Sequence, residues 1–365
     1  MKYESKLFNT DQIMDIDILM DEDDWNDMLE NAISEEYYSC DVVVNGKTFY
    51  SVGIRPKGNT SLSSIVNDPD TDRYSFKLEF DHYIEGQTCY GLDKLILNNN
   101  YADATNMKEA IVYDMYQYLG VDASLYNYAK ISVNGDYRGV YLALEAVEDS
   151  FMLRNYGTED GNLYKPENMG VGGGMDGKDG DGWQMGEKPD GEDFPQKGEM
   201  PDGADFPQKG EMPDGEDFPQ KGEMPDGEDF PQMGEAPNGE AADIKMGIMG
   251  GNGGADLNYT DDDLDSYSTI WDGEITDTDE KDHKRVVEAL KNISEGTDLE
   301  TYMDVDNILK YMAVHTFVVN DDSLSGTMAH NYYLYEYNGN LNILPWDYNL
   351  SFGGMSMGGG TGGQS

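Results

Sequence analysis

The sequence predicts an α+β fold of two lobes that carries a long disordered acidic insert. Before residue 150, short runs of strand-forming residues alternate with Asn-Gly turns around one internal helix. From about Met169 to Gly254 a Pro, Gly and acid repeat interrupts the chain. After it, two helical segments lead into one further hairpin. At 365 residues the chain is long enough for two packed lobes.

Residues 11–20 read as a strand, and Glu22 to Ala32 as an acidic helix with Trp25, Met28 and Leu29 inward. Tyr37 to Val52 reads as a hairpin turning at Asn45-Gly46, since both positions of a two-residue type I′ turn need positive φ. Tyr74-Ser-Phe-Lys-Leu-Glu-Phe80 alternates as a strand does, and Lys94 to Leu97 is a short apolar run. Asn106 to Leu119 reads as a helix, with Met107, Ala110, Ile111, Met115 and Tyr118 on its inward face and Gly120 as its stop. Tyr126 to Val133 and Gly139 to Leu144 flank Asn134-Gly135 in another hairpin. Asp282 to Ile293 and Val305 to Val319 read as helices. The resulting division is a sheet-rich region with one internal helix (1–148), a hinge into the second lobe (149–168), the insert (169–254), the second lobe (255–353) and a Gly-rich tail (354–365).

The formal charge is −49, from 73 acids against 24 bases. That excludes nucleic acid as an expected partner, because phosphate backbones are bound by Lys and Arg. It suits cations, metals or basic polypeptides. Much of the acid lies in four 12-residue units beginning at Pro189, Pro201, Pro213 and Pro225, of the form Pro-Asp-Gly-Glu-Asp-Phe-Pro-Gln-Lys-Gly-Glu-Met. The second has Ala204 for Glu, and the fourth drifts at its end. Such units bury too little apolar surface to offset their ordering entropy. An arm that solvates the protein or docks basic partners is one reading, and a neutral repeat expansion is another. Cys40 and Cys89 read as isolated thiols, with a disulfide between them the alternative. No run reaches transmembrane length, and Met1-Lys-Tyr-Glu-Ser-Lys lacks the apolar core of a signal peptide. The expectation is a cytosolic protein or the mature form of an exported one. The four histidines form no HExxH pair and no GxSxG element occurs, which argues against zinc and serine hydrolases. Asp261 to Asp272 lacks the Gly and Glu of a calcium loop and reads as a capped acidic turn.

Three polar positions follow apolar runs near the C-terminus: Asp322 after Val318-Val-Asn-Asp, Asn331 before Tyr332-Tyr-Leu-Tyr, and Asp347 after Leu344-Pro-Trp. A hairpin turning at Asn338-Gly339 brings Asn331 close to Asp347. This inventory suits phosphoryl transfer, which needs a carboxylate at the acceptor hydroxyl and an Asn and an Asp to hold metal on nucleotide phosphates. The alternative is that all three cap turns. Arg55-Pro-Lys57-Gly58-Asn-Thr-Ser61 has the composition of a phosphate-wrapping loop, or of an ordinary turn. Lys77, in mid-strand, is the candidate phosphate-contacting lysine, with Arg73 as competitor and Glu109 as the acid that orients it. Solvent-facing charges on a strand and a helix are the alternative.

The Arg55–Ser61 loop, Tyr74-Ser-Phe-Lys-Leu-Glu-Phe-Asp, Gly91-Leu-Asp-Lys-Leu-Ile-Leu-Asn-Asn-Asn, Val133-Asn-Gly-Asp-Tyr-Arg-Gly-Val-Tyr-Leu-Ala-Leu-Glu145, Asn331-Tyr-Tyr-Leu-Tyr and Pro345-Trp-Asp347-Tyr-Asn-Leu-Ser-Phe-Gly together resemble the CotH family of spore-coat-type, secretory-kinase-like proteins. The resemblance runs from about residue 10 to 353, interrupted by the insert. It implies a divergent two-lobed protein-kinase-like fold. ATP with Mg²⁺ or Mn²⁺ would lie between the lobes, and phosphate would pass to Ser or Thr of coat or surface proteins. It places the protein in the spore coat or at the cell surface. It makes Asp322 the catalytic acid, Asn331 and Asp347 the metal ligands, and Glu145 the start of a hinge to the nucleotide base. Three features depart from the family and from ordinary kinases. Asn349 stands where the family often has a second Asp. Eight residues separate Asp322 from Asn331, against four in ordinary protein kinases. The chain runs only a short way past Gly353, so part of a substrate platform is expected to be missing from it. The rival from another class is a non-catalytic coat or surface-assembly protein that keeps the fold and docks through its acidic arm. The insert has no Ser or Thr, none occurring between Thr158 and Thr260, and so is a poor autophosphorylation target.

Deleting residues 169–254 is expected to leave the thermal unfolding midpoint nearly unchanged. A large loss of stability in a thermal melt of the deletion variant would contradict the composition argument.

Overall fold

A computed structural model describes residues 1–166, 255–326 and 329–354. The insert expected at 169–254 lies outside the described residues, as does the tail from residue 355. All described residues belong to one of the two units into which the chain divides, 1–179 together with 248–365. That unit is a mixed α+β structure with a sheet-rich core.

The first part opens with a short helix, α1 (Lys2–Lys6), and strand β1 (Met14–Leu19). Helix α2 (Glu22–Glu30) follows and buries Trp25 and Met28. Strands β2 (Tyr38–Val44) and β3 (Lys47–Lys57) form the first hairpin, and a seven-residue helix, α3 (Thr60–Val66), precedes β4 (Ser75–Glu79) and β5 (Lys94–Asn98). Helix α4 (Lys108–Leu119) leads to β6 (Tyr126–Val133) and β7 (Asp136–Glu145). The seven strands close into a barrel in the order β1-β2-β3-β4-β5-β7-β6. Six of its pairings are antiparallel. The seventh, β1 with β6, is parallel, placing Ile16 opposite Ile131, and it closes the barrel. The Asn-Gly turns behave as their sequence predicts: Asn45 and Gly46 have φ of 49° and 80°, and Asn134 and Gly135 have 52° and 84°.

Beyond the barrel, α5 (Asp149–Tyr156) and β8 (Asn162–Tyr164) precede the insert. After it come α6 (Ser268–Trp271), α7 (Glu280–Glu295), α8 (Leu299–Tyr302), α9 (Val305–Val318), β9 (Tyr332–Tyr337) and β10 (Asn340–Pro345). Strands β10-β9-β8 make a second, three-stranded antiparallel sheet. Helix α7 starts at a capping box formed by Asp279 and Asp282.

Strand alternation sorts side chains between two cores. Leu95, Leu97, Tyr141, Ala143, Ala129 and Ile131 point into the barrel. Ile96, Leu142, Leu144 and Tyr126, on the other face of the same strands, pack against the helices and the small sheet. Helix α4 shows a different face from the one expected. Val112, Tyr113 and Tyr116 are buried with Glu109 and Ala110, whereas Met107, Ile111 and Tyr118 are exposed. Tyr116 turns inward where a partner is: its hydroxyl donates to that of Tyr348 at 2.6 Å. Cys40 and Cys89 are free and buried, and burial pushes both thiols up to about 12.

Asp93, just before β5, is buried beside the Ser150 hydroxyl, and burial followed by the Glu148 carboxylate pushes it up to about 6. An unfolded Asp titrates near ~3.9, so the folded protein holds this proton more tightly. Stability is therefore fully present below about pH 4 and is lost as pH rises through about 6, by on the order of 2–3 kcal/mol. Asp93→Asn is expected to raise the melting midpoint over the parent at pH 7.5, with the gain vanishing towards pH 4. Thermal melts across that range check it.

Candidate functional site

The β9–β10 ladder ends with Tyr332 opposite Pro345, so Asn331 and Asp347 leave the same end of the hairpin. Asn338 and Gly339 turn it with φ of 52° and 84°. Asn331 and Asp347 both sit in the left-handed region, with φ of 57° and 52°. Asn331 Nδ2 donates to Asp322 Oδ2 at 2.7 Å, and His330 Nε2 lies 2.6 Å from Asp322 Oδ1. Both oxygens of the expected catalytic acid are thus held by the residue pair that opens β9.

The loop from α9 to β9 is built with strain. Helix α9 ends at Val319 with φ 49°, an outlier for a β-branched residue. The kink delivers Asn320, whose amide nitrogen approaches the Asp347 carbonyl oxygen at 3.5 Å. The chain after Asp347 returns the contact, since Phe352 N–H donates to the Val318 carbonyl and Gly353 N–H to that of Val319. A Cβ on Gly326 would stand 1.8 Å from the Asp321 carbonyl oxygen, so only glycine permits that close approach. Beneath the loop, Ser323 Oγ donates to the Asn331 carbonyl at 3.2 Å, and His315 bridges Ser325 Oγ at 2.5 Å and the Tyr348 hydroxyl at 3.3 Å. The Asp322 loop and the Asp347 turn are therefore positioned by one buried polar network.

Glu109 of α4 enters the same region from the barrel side. It is 2 % exposed, and Asn98 Nδ2 donates to its Oε2 at 2.6 Å. Burial first and the Asp347 carboxylate second push Glu109 up, while Lys57 opposes the rise. Asp347 is likewise raised by burial, with Lys57 lowering it and Asp322 raising it.

The expected pairing of Glu109 with Lys77 is corrected here. Lys77 donates to Glu148 Oε1 at 2.8 Å, and Lys94 takes the other oxygen. Strand register explains the difference. Lys57, Ser75 and Asn98 form one row across β3, β4 and β5, next to Glu109. Arg55, Lys77 and Ile96 form a second row two residues along β3, on the same outer face of the barrel. Arg55 is buried in an ion pair with Glu35. Gly58, at φ 126°, turns the chain from β3 into α3, and a Cβ there would meet Ser61 Oγ at 2.6 Å. Of the Arg55–Ser61 loop, Lys57 is the residue the fold brings to Asp347, and its Nζ also lies 5.8 Å from the Trp346 ring centroid.

Glu145, expected at the start of a hinge to the nucleotide base, ends β7 with its side chain engaged inside the protein. Four donors of the protein occupy its carboxylate: the Tyr3 hydroxyl at 2.5 Å, Leu125 N–H at 3.1 Å, and Arg154 Nε and Nη2 at 2.9 and 2.6 Å. This group ties α1 and α5 to the end of β7. Sequence reasoning gave no part to Asn320, His330, Glu148 or Lys165. His330 directly precedes Asn331 and Asn320 lies two residues before Asp322, and that closeness was the available signal.

Among the described residues, no three His, Cys, Asp or Glu side chains stand together as a metal-ligand group. A cation here would draw on amide oxygens beside Asp347. The fit is favourable at one atom in particular, because Asp347 Oδ1 is buried with no hydrogen-bond partner. Among the described residues, no helix is long and apolar enough to cross a membrane.

Fold and site together define the class: a mixed α+β protein with a cluster of carboxylates and amides where a closed barrel meets helices and a second sheet. Residues 54–364 match the family model described as CotH kinase protein, and the chain belongs to that family. No curated protein matches it.

Glu145→Ala is expected to destabilise the protein by about 3–5 kcal/mol, because it strands Arg154 as a partly buried, unpaired charge. Denaturant unfolding of the variant beside the parent measures this.

Proposed function

We propose that the protein is a CotH-type protein kinase that transfers the γ-phosphoryl group of ATP to a Ser or Thr hydroxyl of coat or surface proteins. In this reading the barrel and the helical part act as the two lobes of a divergent kinase-like fold. The observation that carries the reading is the convergence of Asp322, Asn331, Asp347 and Lys57 at one site. The family match supports it.

Asp322 orients the acceptor hydroxyl and receives its proton as the oxygen attacks the γ-phosphorus and the bond to the β-phosphate oxygen breaks. His330 and Asn331 keep the carboxylate pointed for that task. Asp347 and Asn331 would hold Mg²⁺ or Mn²⁺, which when bound neutralises charge on the phosphates. Lys57, in place of Lys77, is the residue for phosphate contact. Positioning and charge dominate, because little covalent work falls to the protein. The acidic composition favours basic segments in the acceptor protein.

Asp347→Asn is expected to weaken Mn²⁺-dependent ATP binding by at least about tenfold, since it removes a charged ligand. Asp322→Asn is expected to bind ATP as the parent does while losing about 10²-fold or more in transfer. Binding and radiolabel transfer to a Ser-rich acceptor are measured separately on each variant. Parent-like binding and transfer in both would overturn the assignment, and a parent that neither binds nor transfers favours a structural coat protein.

A further inference from the structure

Besides Oδ1 of Asp347, two other buried carboxylate or amide oxygens in this region lack a hydrogen-bond partner, Oε1 of Glu109 and Oδ1 of Asn320, as do the hydroxyls of Tyr113 and Ser351. Asn320 and Glu109 are each 2 % exposed, so bulk water does not satisfy them. The remaining polar atoms of these two side chains are already engaged. Asn320 Nδ2 points to the Asp347 carbonyl, and Glu109 Oε2 accepts from Asn98. The open carboxylate and amide positions are acceptors, from three separate elements: α4, the kink after α9 and the turn after β10. Leaving such groups bare costs stability, and more so where they are charged. Asp347 is the strongest acidic influence on Glu109, and Lys57 acts on both, while Lys165 and His330 also act on Asp347. Oxygen-only donors, two of them carboxylates, suit a hard divalent cation.

We propose that Glu109 and Asn320 join Asp347 as ligands of one divalent cation, Mg²⁺ or Mn²⁺. The use of that cation in phosphoryl transfer rests on the kinase reading, but its binding does not. Glu109 is then a cation ligand, and not the orienting partner of a lysine as in the sequence-based reading. Because Glu109, Asn320 and Asp347 come from different elements, the cation also fixes α4 against α9 and the Asp347 turn.

The test titrates the full chain with Mn²⁺ in the absence of nucleotide, read by the loss of the free-ion electron paramagnetic resonance signal and by the rise in melting midpoint. Glu109→Gln and Asn320→Ala are each expected to weaken the Kd for Mn²⁺ at least about tenfold, since each removes one oxygen ligand of the set. Asn320→Asp, which adds charge to the same oxygen position, is expected to bind at least as tightly as the parent. Metal-free Glu109→Gln is expected to melt no lower than the parent, because it removes a buried charge. That result separates lost binding from lost folding. Parent-like Mn²⁺ affinity in both Glu109→Gln and Asn320→Ala overturns the proposal, as does a parent that binds no Mn²⁺. Phosphate transfer is scored separately on the parent. Mn²⁺ binding through these residues without transfer leaves the site standing and sinks the kinase reading.

Discussion

Strands β5 and β7 are covered on both faces, and the rest of the molecule is arranged around that constraint. One face belongs to the barrel core. The other must be met by helices, by the small sheet, or by paired charge. Where the outward residues are apolar, as at Ile96, Leu142 and Leu144, the helical part packs directly on them. Where outward residues of the barrel are charged, the protein supplies partners: Glu148 between Lys77 and Lys94, and Glu35 for Arg55. A buried ion pair of this kind is weak evidence for added stability, yet removing one partner is costly. These pairs therefore act mainly to hold one register and one relative placement of barrel and helices.

The site lies where that pairing is left incomplete. Asp347, Glu109 and Asn320 keep bare acceptors there. Backbone strain gathers at the same place, at Val319, Ala329, Asn331 and Asp347. Strain and unsatisfied polar atoms each cost stability, and their coincidence marks a region shaped for chemistry and not for folding alone. The tyrosine and histidine network beneath it, Tyr116, Tyr348, Tyr311 and His315, supplies the rigid support such a region needs.

Local features were legible in the chain. The Asn-Gly hairpins, the capped helix α7 and the proximity of Asn331 to Asp347 follow from turn stereochemistry and periodicity, which act over a few residues. Asp322, Asn331 and Asp347 were legible for the same reason, since each punctuates an apolar run. The inward face of α4 was not. Tyrosine counts as half polar in any periodicity argument, and whether its hydroxyl finds a partner depends on Tyr348, which is 232 residues from Tyr116.

The mixed α+β character, the hairpins, most helix positions, the family resemblance and three of the polar residues at the site can all be read from local sequence. Tertiary structure alone decided the rest. The parallel pairing of β1 with β6 closes the barrel through strands more than a hundred residues apart. Register across β3, β4 and β5 put Lys57, and not Lys77, beside Glu109. Convergence of α4, α9 and the Asp347 turn set Asn320 among the site's oxygens. Each of these depends on which long-range contacts form together, and a linear pattern carries no record of that.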